Sequence, residues 1–454
     1  MTLPRRAAAV VAAVLATTPA LARAGALCSG PASKDLGREV QAHLYQTMMM
    51  DQKFRYERYG QGPLPSGPPV FAEPKDVTAY LGALGSRRAA VLYQVQEKGA
   101  VCTWLVSAKG VARALAAVPA KRYASLRERL RSALDPGGKA RAGAPRRRGV
   151  EEAAPPAPAE SLATLLEEAS ATLFPEAIAR KLVDEAIDTL VVVPTEELGT
   201  LPFAAIPVDG KPLVDRASVV VAPTFAAFRG PPLPHRAPLA PAVIVGDPAY
   251  GKDPAFELPP LPGARAEAEE VGKIVGASPL LGPAATRAAV EDAIAHASGG
   301  PGLVYLATHG RADPENPLDG SVVWMAGGRW SAREISNLAL AESRPLVVLS
   351  ACQTALGKSF QVGTIGLARA WARAGASSVV MSLWRVDDAA TRELMTRFVR
   401  AAADLPPDVA LRRAMLELRK HDPDPAHWAS FAVYGVPAPM SGVAGPDPIE
   451  QRSP

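Results

Sequence analysis

The chain has 454 residues, 48% hydrophobic and 21% charged, with a formal net charge of +5. That mixture describes an ordinary globular protein able to bury a large core, with a length prior of roughly two to four domains. The small positive excess comes partly from one basic run, so it does not read as a nucleic-acid footprint.

Residues 1–24 have the pattern of a secretory signal peptide: Arg5-Arg6, an apolar stretch over 7–16, then Pro19 and small residues at Ala20, Ala22 and Ala24. The apolar stretch is too short to span a bilayer, and no later segment reads as a membrane helix. The mature form is therefore expected to be exported, periplasmic or secreted, and free of the membrane. It would carry Cys28, Cys102 and Cys352. In an oxidising compartment Cys28 and Cys102 can pair and leave Cys352 free; the other reading is three unpaired thiols.

Residues 25–76 read as a helical and loop segment with the run Met48-Met49-Met50. Residues 77–134 read as a small α/β unit: strands at 89–95 and 101–106 about Gly99, then a helix over 111–134. Residues 135–160 form a Pro/Arg-rich linker containing Arg146-Arg147-Arg148, whose composition cannot build a core. From 161 to 437 strands and helices alternate. Strands fall at 189–193, 217–222, 242–246, 303–309, 346–352 and 378–384, and a hairpin at 321–330 turns on Gly327-Gly328. Helices fall at 161–169, 264–275, 286–297, 331–338, 362–374, 389–402 and 407–420, with Ser161, Thr286 and Ser331 as N-cap candidates. Continuous apolar strands in such an alternation predict a mostly parallel sheet sandwiched by helices. Residues 438–454 are expected to be a disordered tail.

Two strands end in reactive side chains. One runs Leu303-Val304-Tyr305-Leu306-Ala307-Thr308 into His309-Gly310, the other Leu346-Val347-Val348-Leu349-Ser350-Ala351 into Cys352. Ligands gather at the carboxyl ends of parallel strands. A cysteine beside an imidazole there is a nucleophile with its base. The N–H groups of Gly310 and Cys352 are candidate oxyanion donors. Such a set describes acyl transfer, most simply peptide hydrolysis. A lone buried Cys or His is usually structural; it is the pairing at two strand ends that favours chemistry. The run from Cys352 to Ser359 imitates a phosphate-binding loop, but Cys352 stands where that loop needs glycine, and no strand ending in Asp comes after it to hold magnesium. Neither C-x-x-C nor H-E-x-x-H occurs, so no metal or other cofactor is expected.

From about residue 190 to 436 the chain resembles a CHAT domain, a caspase-like family related to separase. The resemblance is carried by Ala307-Thr308-His309-Gly310, Ser350-Ala351-Cys352-Gln353-Thr354, Gly366-Leu367-Ala368-Arg369-Ala370 and Ser382-Leu383-Trp384-Arg385-Val386-Asp387-Asp388, supported by Gly246-Asp247-Pro248 and His427-Trp428. It implies an α/β fold with a caspase-like, mostly parallel sheet sandwiched by helices, here preceded by the small α/β hairpin unit. It implies a cysteine endopeptidase with His309 and Cys352 as the dyad, acting on protein or peptide substrates. By analogy with separases, Asp387 and Asp388 become candidate binders of a basic residue at the cleavage site; their other reading is as a cap of the next helix. The alternative function is a catalytically silent module that uses the same surface to bind a protein partner. Two departures from the family stand out: no 34-residue tetratricopeptide repeat is present, and the leader points outside the cell.

Overall fold

The computed structural model describes residues 36–37, 74–97, 99–118, 120–134, 160–194, 200–234, 238–253, 255–256, 258–313, 316–351, 358–360, 363–384 and 387–440. Its centre is an eleven-stranded sheet. In chain order these strands are β1 (Ala89–Glu97), β2 (Ala100–Ser107), β3 (Gly110–Ala117), β4 (Thr189–Val193), β5 (Ser218–Val221), β6 (Ala242–Pro248), β7 (Leu280–Gly282), β8 (Leu303–Ala307), β9 (Leu346–Ser350), β10 (Ser378–Ser382) and β11 (Phe431–Gly435). Across the sheet they run β3-β2-β1-β4-β5-β11-β10-β9-β8-β6-β7. Every pair from β10 to β7 is parallel, as are β1-β4, β4-β5 and β5-β11. The β10-β11 pair is antiparallel and joins two halves that point in opposite directions.

The helices of eight residues or more are α1 (Pro74–Gly82), α2 (Ala120–Leu134), α3 (Leu162–Leu173), α4 (Glu176–Asp184), α5 (Pro262–Val275), α6 (Arg287–His296), α7 (Leu367–Ala374), α8 (Asp388–Ala402) and α9 (Pro407–Arg419). Side-chain alternation divides β1 and β4 between two cores. Ala90, Leu92, Leu190 and Val192 face the larger; Val91, Tyr93, Val191 and Val193 face a smaller one beneath α1, with Phe225 and Phe228. The caps expected at Ser161, Thr286 and Ser331 are formed, the last as a full capping box with Glu334.

Several expectations need correction. Residues 110–117 are strand β3, and the helix starts only at Ala120. Gly110, at φ +125°, permits a turn that returns the chain along β2, which the apolar spacing alone does not reveal. The helix expected at 362–374 begins at Leu367, because 363–365 pair as a strand with 358–360. The helix after Ser331 ends at Ile335 rather than 338. The small α/β unit is not set apart from the larger domain: β1 pairs with β4, so its hairpin extends the large sheet. The chain where the expected tail begins is also held. Tyr80 donates to the Pro437 carbonyl at 2.9 Å, and Arg87 to that of Ala438 at 2.6 Å. Arg87 is itself buried against Asp408 and the hydroxyls of Thr189 and Ser218. The leader, most of the 25–76 segment, the basic run of the linker and residues 441–454 lie outside the described residues.

Candidate active site

Strands β8 and β9 are neighbours in register, Ala307 opposite Ser350, and both are buried throughout. His309 and Cys352 therefore each lie two residues beyond a paired position. Cys352 itself lies outside the described residues; the last described residue before it is Ala351, whose carbonyl accepts from the Ser382 hydroxyl on β10.

His309 is half-buried and fixed on two sides. Its Nε2 lies 2.8 Å from the Pro259 carbonyl oxygen. A carbonyl can only accept, so this nitrogen carries the proton, and in the neutral ring Nδ1 is the basic one. The Tyr250 ring packs on the imidazole with centroids 4.7 Å apart. The Tyr250 hydroxyl is 3.2 Å from the Thr308 hydroxyl, which donates to the Trp324 carbonyl at 2.5 Å. Trp324 N–H in turn donates to the His309 carbonyl at 2.9 Å. In the antiparallel pairing of Gly310 with Val323, that bond makes the two a non-hydrogen-bonded pair, which turns the Gly310 N–H away from the ladder.

Tyr250 and Pro259 belong to one loop between β6 and α5, pinned at both ends. At its base Leu261 N–H donates to Asp247 Oδ1 at 2.7 Å. At its tip Asp253 accepts from Trp324 Nε1 at 3.0 Å and from Arg329 Nε and Nη2 at 2.7 and 2.6 Å. The Arg329 fork, with help from the indole N–H, holds the Asp253 carboxyl well below the usual carboxylate range.

The two candidate specificity aspartates separate. Asp387 caps α8, its Oδ1 accepting from Ala389 and Ala390 N–H at 2.9 and 3.1 Å. Asp388 is turned toward the start of α5. A Cβ on Gly263 would come within 2.7 Å of its Oδ2, so only glycine there leaves room for it. Burial raises the Asp388 carboxyl above its ordinary value, the neighbouring Asp387 charge adds to the rise, and His309 opposes it.

Beneath the strand ends lies a group that the sequence pattern did not single out. Glu267 on α5 is buried, 3% exposed, and its Oε1 accepts from the Tyr305 hydroxyl at 2.6 Å. Burial pushes its carboxyl up to about 7. The run Ala266-Glu267-Ala268-Glu269-Glu270 looks like a solvated face. The signal that could have found it is helical spacing, because Glu267 shares the stripe of Ala264, Ala268 and Val271.

Fold and site define a class: an α/β protein in which adjacent parallel strands lead into a fixed histidine and a cysteine. The family model for the CHAT domain matches residues 163–436, and the chain belongs to that family. Over 299 residues it is 26% identical to mouse (Mus musculus) tetratricopeptide repeat protein 28, covering 54% of this chain and 12% of that protein's length. Among solved structures it resembles the Saccharomyces cerevisiae separase–securin complex (11% identity, TM-score 0.47, 80% of this chain and 31% of that one). It also resembles the Arg-specific cysteine proteinase gingipain R (12% identity, TM-score 0.41, 59% of this chain and 68% of that one). Among the described residues no helix is long and apolar enough to cross a membrane, and no His/Cys/Asp/Glu cluster could hold a metal ion.

Proposed function

We propose that this protein is a cysteine endopeptidase in which Cys352 is the nucleophile and His309 the base. The observation that carries the reading is the hydrogen bond from His309 Nε2 to the Pro259 carbonyl. It fixes the ring and reserves Nδ1 for the thiol. His309 takes the thiol proton as sulfur attacks the scissile carbonyl, and returns it to the leaving amine. The Gly310 N–H, turned away from its ladder, and that of Cys352 receive the oxyanion. Asp388 is the acidic group that selects a basic residue before the cut; Asp387, committed to α8 through one oxygen, supports it.

A free Cys352 is supported by Cys102, which is disulfide-bonded. β2 lies six strands from β9 in the sheet order, roughly 29 Å at ~4.8 Å per strand. Two further residues do not bring a sulfur after β9 within disulfide reach of β2. A disulfide also supports export to an oxidising compartment.

The test is cleavage of a peptide library rich in arginine and lysine by wild type, Cys352→Ala and His309→Ala. The proposal expects turnover after basic residues in wild type only, and a weakened basic preference in Asp388→Ala. If no protein in the series cleaves, and Cys352 alkylates like an ordinary exposed thiol, the silent protein-binding module takes its place.

A further inference from the structure

We propose that Glu267 is a positioning residue for this site: through Tyr305 and Ser350 it ties the helix just after Pro259 to the two strands that lead into His309 and Cys352. The inference rests on the dyad assigned above. Tyr305 lies on β8, four residues before His309, and donates to Glu267 Oε1 at 2.6 Å. Ser350 closes β9, two residues before Cys352. Its buried hydroxyl has no partner of ordinary hydrogen-bond geometry among the described residues, and it lies beside the same carboxyl. Helix α5 starts three residues after Pro259, so whatever anchors α5 also anchors the carbonyl that holds the His309 ring. The close approach is built in. A Cβ on Gly246 of β6 would stand 2.4 Å from Ala268 Cβ, so only glycine lets α5 lie this near the sheet.

The joint suits a protonated acid. A neutral carboxyl accepts from Tyr305 through one oxygen and can turn an O–H on the other toward the unpartnered Ser350 hydroxyl. An ionised one would be a buried charge with no ion-pair partner among the described residues. The charges that act on it most are Asp388, from the first turn of α8, and Glu270, on its own helix, and both are acidic. Among the described residues, Arg265 of the same helix lies 3.5 Å from Asp247 at the end of β6, and Arg392 of α8 lies 3.9 Å from Glu270. Loss of the Glu267 proton therefore loosens α5 from the sheet, and the Pro259 clamp on His309 loosens with it.

The experiment uses full-length wild type, Glu267→Gln and Glu267→Ala, with ring-labelled histidine. The His309 signal is assigned by its loss in His309→Ala. At pH 6 the neutral form of the wild-type His309 ring is expected to carry its proton on Nε2 alone. Glu267→Ala is expected to show a mixture of tautomers and at least a tenfold lower kcat with KM within threefold. Glu267→Gln, which keeps a donor and an acceptor but cannot ionise, should restore both at pH 6. It should also abolish the fall in kcat and the tautomer mixing expected of wild type between pH 6 and 8 as Glu267 loses its proton. A folded Glu267→Ala with unchanged tautomer and kcat would overturn the proposal. If that variant does not fold, a Glu267→Gln that keeps the wild-type pH dependence of the ring overturns it equally. If no protein turns over substrate, the peptidase reading fails, and the ring signals alone decide whether Glu267 positions His309.

Discussion

Two carboxylates on helices packed against this sheet are each 3% exposed, and they are treated in opposite ways. Asp408, in the first turn of α9, faces the buried Arg87 guanidinium and accepts from the Ser218 hydroxyl at 2.6 Å; its charge is matched. Arg87 also reaches the Thr189 hydroxyl and the Ala438 carbonyl, so the cluster joins α9, β4, β5 and the chain beyond β11. Glu267 faces a phenol and a hydroxyl, with no ion-pair partner among the described residues, at the strands that lead to the candidate dyad. A matched buried charge is a structural joint. An unmatched one near neutral pH can be gained and lost, and here it lies beneath the candidate active site.

The comparison breaks first at Arg87. Asp408→Ala would strand a buried guanidinium, and should cost about 3–5 kcal/mol of unfolding free energy, measured by urea denaturation. Replacing Arg87 and Asp408 together with Met and Leu should cost much less; an equal cost would mean the charges were never a matched unit.

Glu267→Gln should act in the other direction, and with pH. The folded carboxyl sits at about 7 against an ordinary value of 4.5. Below pH 4.5 both folded and unfolded chains hold the proton, and the group is neutral in its effect. Between 4.5 and 7 only the folded chain holds it, so rising pH favours unfolding; above 7 the full penalty, about 3 kcal/mol, is present. The variant should therefore be more stable than wild type at pH 8, with the advantage gone at pH 4. A difference independent of pH would place the proton elsewhere.

Tyr305→Phe sharpens the same contrast. It removes the donor and leaves Glu267 its serine neighbour alone, at an expected cost of about 1–2 kcal/mol. The effect of Glu267→Gln measured in that background should differ from its effect in wild type. Last and smallest, Asp387→Ala removes two cap hydrogen bonds from α8 and should cost about 1 kcal/mol in thermal or urea unfolding; no cost would free Asp387 for a role outside its helix.

Much of the sheet was legible because β8, β9 and β10 are continuous apolar runs of the kind only a covered parallel sheet produces. His309 and Cys352 were legible because each ends such a run. What escaped depends on contacts distant in sequence. Pro259 reaches His309 across 50 residues, and nothing in a proline marks its carbonyl as a clamp. Asp253 looks like a loop aspartate until Trp324 and Arg329 fold onto it. Strand β3 reads as helix because Val111-Ala112-Arg113-Ala114-Leu115-Ala116-Ala117 has good helix formers; pairing with β2 overrides that preference.

The central claim, that His309 activates Cys352, is tested most directly by the rate of Cys352 alkylation with iodoacetamide across pH 4 to 10 in wild type and His309→Ala, with the labelled cysteine identified by peptide mass. The account predicts rapid alkylation in wild type already on a plateau by about pH 7, and in the variant a rise only near the ordinary thiol value of about 8.5. Superimposable profiles, both rising near that ordinary value, would contradict it.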